Sequence, residues 1–175
     1  PALRLNVSNS VTGLAGIDIA GIEIAPLSLG DVVLSENEKD LGCALINFGA
    51  GVTSVAIYKG GKLIDLSVVP LGSNLITKDI TALHVVESEA ERLKLTYGAA
   101  KADREHDMEI PLSAADGSVR KLNLYELNSV VEARMDEILQ NVYARLESSG
   151  ALPSLGAGVV IAGGGSALKG LPALM

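Results

Sequence analysis

The chain has 175 residues, 48% of them hydrophobic, 19 glycines and a formal net charge of −7. That length and apolar content suit a packed α/β core with many turns and exclude a disordered polyelectrolyte. A sequence pI near 4.8 with no basic stripe argues against non-specific nucleic-acid binding.

The single cysteine, Cys43, can form no internal disulfide, which points to a reducing compartment. Its place inside an apolar run reads as packing rather than as a reactive thiol. No apolar run approaches the ~20 residues needed to span a bilayer, and no signal peptide opens the chain. Pro1 stands where a methionine would, and the chain stops at Met175 just after a glycine-rich segment. An excised fragment is expected.

Pro1 to Gly16 reads as a short helix, although Ser, Asn and Thr crowd it. Ile17 to Pro26 alternates apolar and polar residues, so a strand is expected over Gly21 to Ala25. Pro26 suits the first turn of a helix that carries Leu27, Leu29, Val32, Val33 and Leu34. Ser35 to Asp40 reads as a solvated polar loop.

The stretch from Cys43 to Pro70 reads as three strands with two glycine turns. Cys43 to Ile46 is continuously apolar, as in a strand covered on both faces. Gly49-Ala50-Gly51 interrupts it, and Val52 to Tyr58 resumes with β-branched and aromatic residues. Lys59-Gly60-Gly61-Lys62 is a hairpin signal before Leu63 to Val69. In the first turn, two glycines around a small residue leave backbone N–H groups open to an anion. Asn47 precedes that turn and Thr53 follows it.

Beyond Pro70, Leu75, Ile76, Ile80 and Leu83 keep helical spacing. A second helix is expected from Ser88, with Glu91 in the capping-box position and Gly98 at its end. Glu91 and Lys94 share one face of it; taken alone they read as a surface ion pair. Asp103 to Asp107 is a charged loop in which His106 reads as solvated, and His84 has no metal-ligand companions. Met108 to Leu112 and Val119 to Leu122 form a hairpin around Asp116-Gly117. A long helix follows, with Leu124, Leu127, Val131, Met135, Ile138, Val142 and Leu146 stepping by three and four. Asn123 caps it, Gly150 closes it, and Arg134, Glu137, Asn141 and Arg145 lie on its outer face. The last strand, Gly158 to Ala162, runs into Gly163-Gly164-Gly165-Ser166 and a helical start at Ala167 to Lys169. Such a junction presents N–H donors to a phosphate or ribose.

Together N-F-G-A-G-V-T-S, P-L-G-S-N-L-I-T, E-A-E-R-L-K-L-T-Y-G and V-V-I-A-G-G-G-S-A-L-K-G-L resemble the actin-like ATPase superfamily and, within it, the bacterial FtsA family of cell-division proteins. The likeness runs from about Gly21 onward. It implies an α/β, ribonuclease H-like lobe: a mixed sheet flanked by helices, with a small α+β insert. Residues 1–40 would be a remnant of subdomain IA, 41–83 and 151–175 subdomain IIA, and 84–150 subdomain IIB. The family's first phosphate hairpin, connecting motif and IC subdomain would precede Pro1.

By the same resemblance, Gly49, Ala50, Gly51, Val52 and Thr53 match the second phosphate loop, and Gly163, Gly164, Gly165 and Ser166 match the adenosine motif. Glu91 and Lys94 fall at the ribose and base contacts, which reverses the ion-pair reading. The implied cofactor is ATP with Mg²⁺. This stretch alone should bind it weakly, since half of a contact set worth about −8 kcal/mol leaves about −4, near millimolar. The family pattern usually has aspartate at Asn47. Asparagine brings no negative charge to a cation and cannot act as a base, so a nucleotide-responsive scaffold, at most a weak ATPase, is implied.

The implied partners are the C-terminal tail of the tubulin-like protein FtsZ, other copies in an actin-like polymer, and further divisome proteins. Arg134 on the long helix is the candidate tail contact. The implied place is the cytoplasmic face of the inner membrane at the division site, reached through a C-terminal amphipathic helix that this chain lacks. The alternatives are a pilus-assembly ATPase and a small-molecule kinase of the same superfold.

Overall fold

In chain order the elements are α1 (Ala25–Val33), α2 (Glu36–Leu41), β1 (Cys43–Phe48), β2 (Thr53–Lys59), β3 (Lys62–Val69), α3 (Ser73–Ile80), α4 (Glu87–Tyr97), β4 (Glu109–Ser113), β5 (Val119–Asn123), α5 (Leu124–Ser148), β6 (Gly158–Ala162) and α6 (Leu171–Leu174). The computed structural model describes residues 14–16, 21–113 and 118–175.

One mixed sheet has the order β3-β2-β1-β6. Antiparallel hairpins join β1 to β2 and β2 to β3, and β6 returns parallel to β1, with Cys43 opposite Gly158 and Asn47 opposite Ala162. Gly60 and Gly61 take φ of 59° and 71°. A two-residue turn that matches strand twist needs left-handed backbone at both positions, and glycine supplies it without a Cβ penalty.

The central strand β1 is covered on both faces, which explains its continuous apolar run, whereas the edge strand β3 leaves Ile64 and Val68 exposed. Ala44, Ile46 and Phe48 enter a core shared with Ile76 and Ile80 of α3, Leu93 of α4 and the inner stripe of α5. Cys43 and Leu45 join Leu34, Ala56 and Tyr58 on the opposite face. Cys43 is fully buried, and that burial pushes its thiol pKa up, so it is a packing residue.

The long helix follows its periodicity. α5 has 25 residues, spans about 37 Å, and buries Leu127, Val131, Met135, Ile138, Val142 and Leu146. The Asn123 side chain accepts the N–H of Glu126, so β5 passes straight into a capped helix. Gly150 ends it at φ 68°.

Four local expectations are corrected. Gly21 to Ile24 form no strand: Ala25 already opens α1, and Ile22 and Ile24 are each 48% exposed. A strand needs a neighbouring backbone, and no strand among the described residues pairs there. Ser35 to Asp40 is not a loop but the start of α2. The Ser35 side chain accepts from Glu38 N while Glu38 accepts from the Ser35 N–H, a complete capping box. Lys39 is buried there, its ammonium paired with Asp31 and Glu36 and lying 5.9 Å from the Tyr58 ring centroid. The second helix starts at Glu87 behind Val86, whose apolar side chain can accept no cap bond, and Ser88 lies within the helix. At the C-terminal end, Gly164–Ala167 forms a 3₁₀ turn, and the helix waits until Leu171. The expected first helix, apart from residues 14–16, and the turn at Asp116-Gly117 lie outside the described residues; Ser113 and Val119 pair across that turn.

The backbone of the β4–β5 hairpin is hydrogen-bonded to a charged pair within α4: Ser113 N–H donates to Glu89, and Arg92 donates to Pro111 O. Glu89 accepts two bonds from Arg92, at 2.6 and 2.7 Å, and a third from the Ser113 N–H at 2.8 Å. The Arg92 bonds, opposed by burial and helped by Ser113, hold the Glu89 carboxyl at about 2. A carboxyl depressed on folding stabilises above its unfolded pKa, and that stability fades as pH falls from about 4.5 toward 2. Urea midpoints should therefore drop through this window by up to about 3 kcal/mol of stability, and Glu89→Gln should flatten the drop. Equal slopes in both proteins would show that other carboxyls carry the acid sensitivity.

Candidate functional site

The glycine turn between β1 and β2 is held by the N-terminus of α3. Ser73 N donates to Gly49 O at 3.0 Å and Asn74 N to Ala50 O at 2.9 Å. These bonds satisfy the first-turn amides that Gly72, a residue with no side-chain cap, leaves open. A Cβ on Gly72 would stand 2.4 Å from Ala50 O, so the close approach requires glycine. The turn's carbonyls thus face α3, while the exposed Ala50 and Gly51 donate to no backbone carbonyl among the described residues. Their N–H groups are open to an anion. Val52 is exposed beside them. Thr53 is fully buried, and its hydroxyl donates to Leu71 O at 2.9 Å.

The parallel pairing of β6 with β1 brings the second glycine segment alongside. Gly163 takes φ 85°, and a Cβ there would stand 2.4 Å from Asn47 Oδ1. Gly165 presses on Phe48 in the same way, whereas Gly164 faces open space. The Ser166 hydroxyl donates back to Gly163 O at 2.7 Å. Ala100 N donates to Lys169 O at 2.7 Å, which ties the segment to the chain just after α4.

The third wall is α4. Lys94 Nζ lies 2.7 Å from Glu91 Oε2 and donates to Thr77 Oγ1 at 2.8 Å and Ser73 O at 3.3 Å. Thr77 in turn donates to Glu91 Oε2. Burial raises the Glu91 pKa, but the bonds from Lys94 and Thr77 and the Lys94 charge outweigh it, and the net shift is downward.

These walls enclose a cavity of about 400 Å³ faced by Ala50, Glu91, Lys94, Gly164 and Gly165, with Ile76, Leu95 and Leu168 as apolar lining. That is the size of a small-molecule site. Asn47, Gly49, Gly51, Val52, Thr53, Gly163 and Ser166 do not line it; Asn47 and Gly163 touch each other just behind it. Ser73, Asn74 and Thr77 of α3 were missed by sequence reasoning. No local pattern marks them, since their role depends on contacts with segments 14 to 24 residues away.

Arg134 lies apart from the cavity. Its Nε and Nη2 both bond the Asp79 carboxylate of α3, and Nη1 bonds Glu137. Its side chain is 24% exposed, and the Asp79 bonds in particular raise its pKa.

The family described as Cell division protein FtsA matches residues 44–175. The chain belongs to the FtsA family. It is 37% identical over 175 residues to the protein of that name from Porphyromonas gingivalis (strain ATCC BAA-308 / W83), covering 99% of this chain and 36% of the relative. The Bacillus subtilis (strain 168) protein of the same name is 39% identical over 163 residues, covering 91% of this chain and 37% of the relative. The chain therefore spans little more than a third of the length of these relatives. Among solved structures, MreB5 of Spiroplasma citri bound to ADP superimposes with a TM-score of 0.74 at 18% identity, covering 97% of this chain and 56% of that one. The fold is that of the actin-like ATPases. Family membership favours the division branch over the pilus-assembly and kinase alternatives.

Proposed function

We propose that this chain is one lobe of an adenine-nucleotide cleft in an FtsA-type division scaffold. The sheet, α3 and residues 151–175 act as subdomain IIA, 84–150 as IIB and 1–40 as the end of IA. The observation that carries the reading is the convergence of Ala50, Glu91, Lys94, Gly164 and Gly165 on one cavity. The open amides of Ala50 and Gly51 suit a phosphate, and the Glu91 carboxylate suits hydroxyl donors. Adenine nucleotides fit this donor set. Bound Mg²⁺ would neutralise phosphate charge; Asn47, which stands behind the cavity rather than in its lining, would bring it no carboxylate. Titration with MgADP should shift the NMR resonances of Ala50, Glu91 and Gly164 with a near-millimolar dissociation constant. An unchanged spectrum up to about 10 mM overturns the reading.

In the whole protein this lobe would link FtsZ filaments to the cytoplasmic face of the inner membrane, self-associate as actin-like proteins do, and recruit further divisome proteins. The FtsZ tail would lie on the outer face of α5, using N–H donors of Arg134 that Asp79 and Glu137 leave free. Arg134→Ala should abolish binding of an FtsZ tail peptide. It should also cost about 1–2 kcal/mol, because Asp79 loses its partner. Glu137→Ala should preserve stability and binding together. Wild-type peptide affinity in a folded Arg134→Ala variant would remove this helix face as the site.

A further inference from the structure

We infer that Thr77 of α3 is the positioning residue of the cavity: its hydroxyl, with Lys94, aims Glu91 at the ligand. The inference rests on the nucleotide reading of the site and adds a division of labour within it. An ammonium has three N–H donors, and those of Lys94 meet three protein acceptors: Glu91 Oε2 at 2.7 Å, Thr77 Oγ1 at 2.8 Å and Ser73 O at 3.3 Å. The Lys94 side chain is only 8% exposed. Its cation is therefore committed inside the protein, and it serves the ligand through Glu91.

Thr77 is 4% exposed. Its oxygen accepts from Lys94 and its proton goes to Glu91 Oε2, so one hydroxyl closes a triangle with both charges. Glu91 Oε2 thus receives two donors from the protein. Oε1 takes no hydrogen bond among the described residues, on a side chain 41% exposed and lining the cavity. What faces a ligand is a fixed, ionised acceptor. Its complement is a neutral donor pair such as the vicinal hydroxyls of ribose; a phosphate would be repelled. Placement on α3 adds register, because the same helix begins with the amides that hold Gly49 and Ala50. A turn that receives phosphate and a carboxylate that receives sugar are thereby set at a fixed distance along one helix.

The test compares Thr77→Val, which keeps the branched volume and removes the hydroxyl, with Thr77→Ser, which keeps the hydroxyl. MgADP and its 2′-deoxy and 3′-deoxy analogues are titrated onto each, with fold verified by amide spectra. Wild type and Thr77→Ser should prefer the ribonucleotide by about tenfold, and Thr77→Val should bind all three alike. Retained discrimination in Thr77→Val overturns the inference; so does equal loss in Thr77→Ser, which would assign the effect to packing. The Glu91 carboxyl titration, followed by NMR without ligand, reads the triangle directly and should move upward in Thr77→Val alone. If wild type binds no nucleotide, the nucleotide reading fails. An unshifted Glu91 titration in Thr77→Val overturns the Thr77 assignment whatever the ligand result.

Discussion

Alanine at Gly163 should destabilise the chain by about 2–6 kcal/mol, while alanine at the adjacent Gly164 should change stability by no more than about 0.5 kcal/mol. The contrast comes from two independent costs at Gly163. Its φ of 85° is a conformation that an L side chain rarely takes, a strain of about 1–3 kcal/mol. A Cβ there would also stand 2.4 Å from Asn47 Oδ1 and 2.6 Å from Phe48 O. Phe48 O belongs to the backbone of β1, so relief requires β1 and β6 to separate, and overpacking of that kind adds about 1–3 kcal/mol. Gly164 has nothing within 4 Å of its Cβ position and no positive φ. Urea unfolding of both variants checks the pair. Equal midpoints would mean that β6 docks against β1 far more loosely than the register implies.

The central sheet was legible because its signals are local and redundant. Cys43 to Ile46 had to be covered on both faces, and Gly60-Gly61 had to turn. α5 was legible because a seven-residue stripe repeated over 25 positions admits no other period. α2 was missed although Ser35-x-x-Glu38 is a capping box, because Glu-Asn-Glu-Lys-Asp offers no apolar stripe. What it buries is Lys39, paired with two carboxylates and set against Tyr58. Ser88-x-x-Glu91 gave the opposite error: the pattern is present, but Ser88 already lies inside the helix, and Glu91 bonds Lys94 one turn on and Thr77 of the neighbouring helix instead of capping. Gly21 to Ala25 alternates for too few residues to distinguish a strand from an extended lead-in.

In the site, the glycine segments were legible as turns because glycine is required where backbones touch. That they meet at one cavity follows from the parallel pairing of β6 with β1, which bridges more than 100 residues and leaves no local trace. The resemblance placed Glu91 and Lys94 there. It gave no hint that Lys94 is fully engaged within the protein, nor that Arg134 is matched by Asp79, 55 positions earlier.

Leu93→Ala should lower stability by about 3–4 kcal/mol and abolish nucleotide titration, whereas Leu95→Ala, two residues on, should leave stability unchanged and weaken binding alone. Leu93 is fully buried on α4, in the same core as Ile76 and Ile80 of α3 and Leu127 of α5. Removing its side chain loses transfer free energy and leaves a cavity that three helices cannot easily close, since α3 is also held by the glycine turn. Leu93 sits between Glu91 and Lys94 in sequence, so any shift of α4 toward the gap displaces both from Thr77. Leu95 is 74% exposed, and its only evident task is to line the mouth of the cavity. An apolar side chain left on a solvated helix face beside that cavity is suited to cover a planar base. Urea unfolding and MgADP titration on the two variants separate the core's task from the site's. If Leu95→Ala binds as wild type does, the base lies elsewhere and Ile76 and Leu168 become its cover.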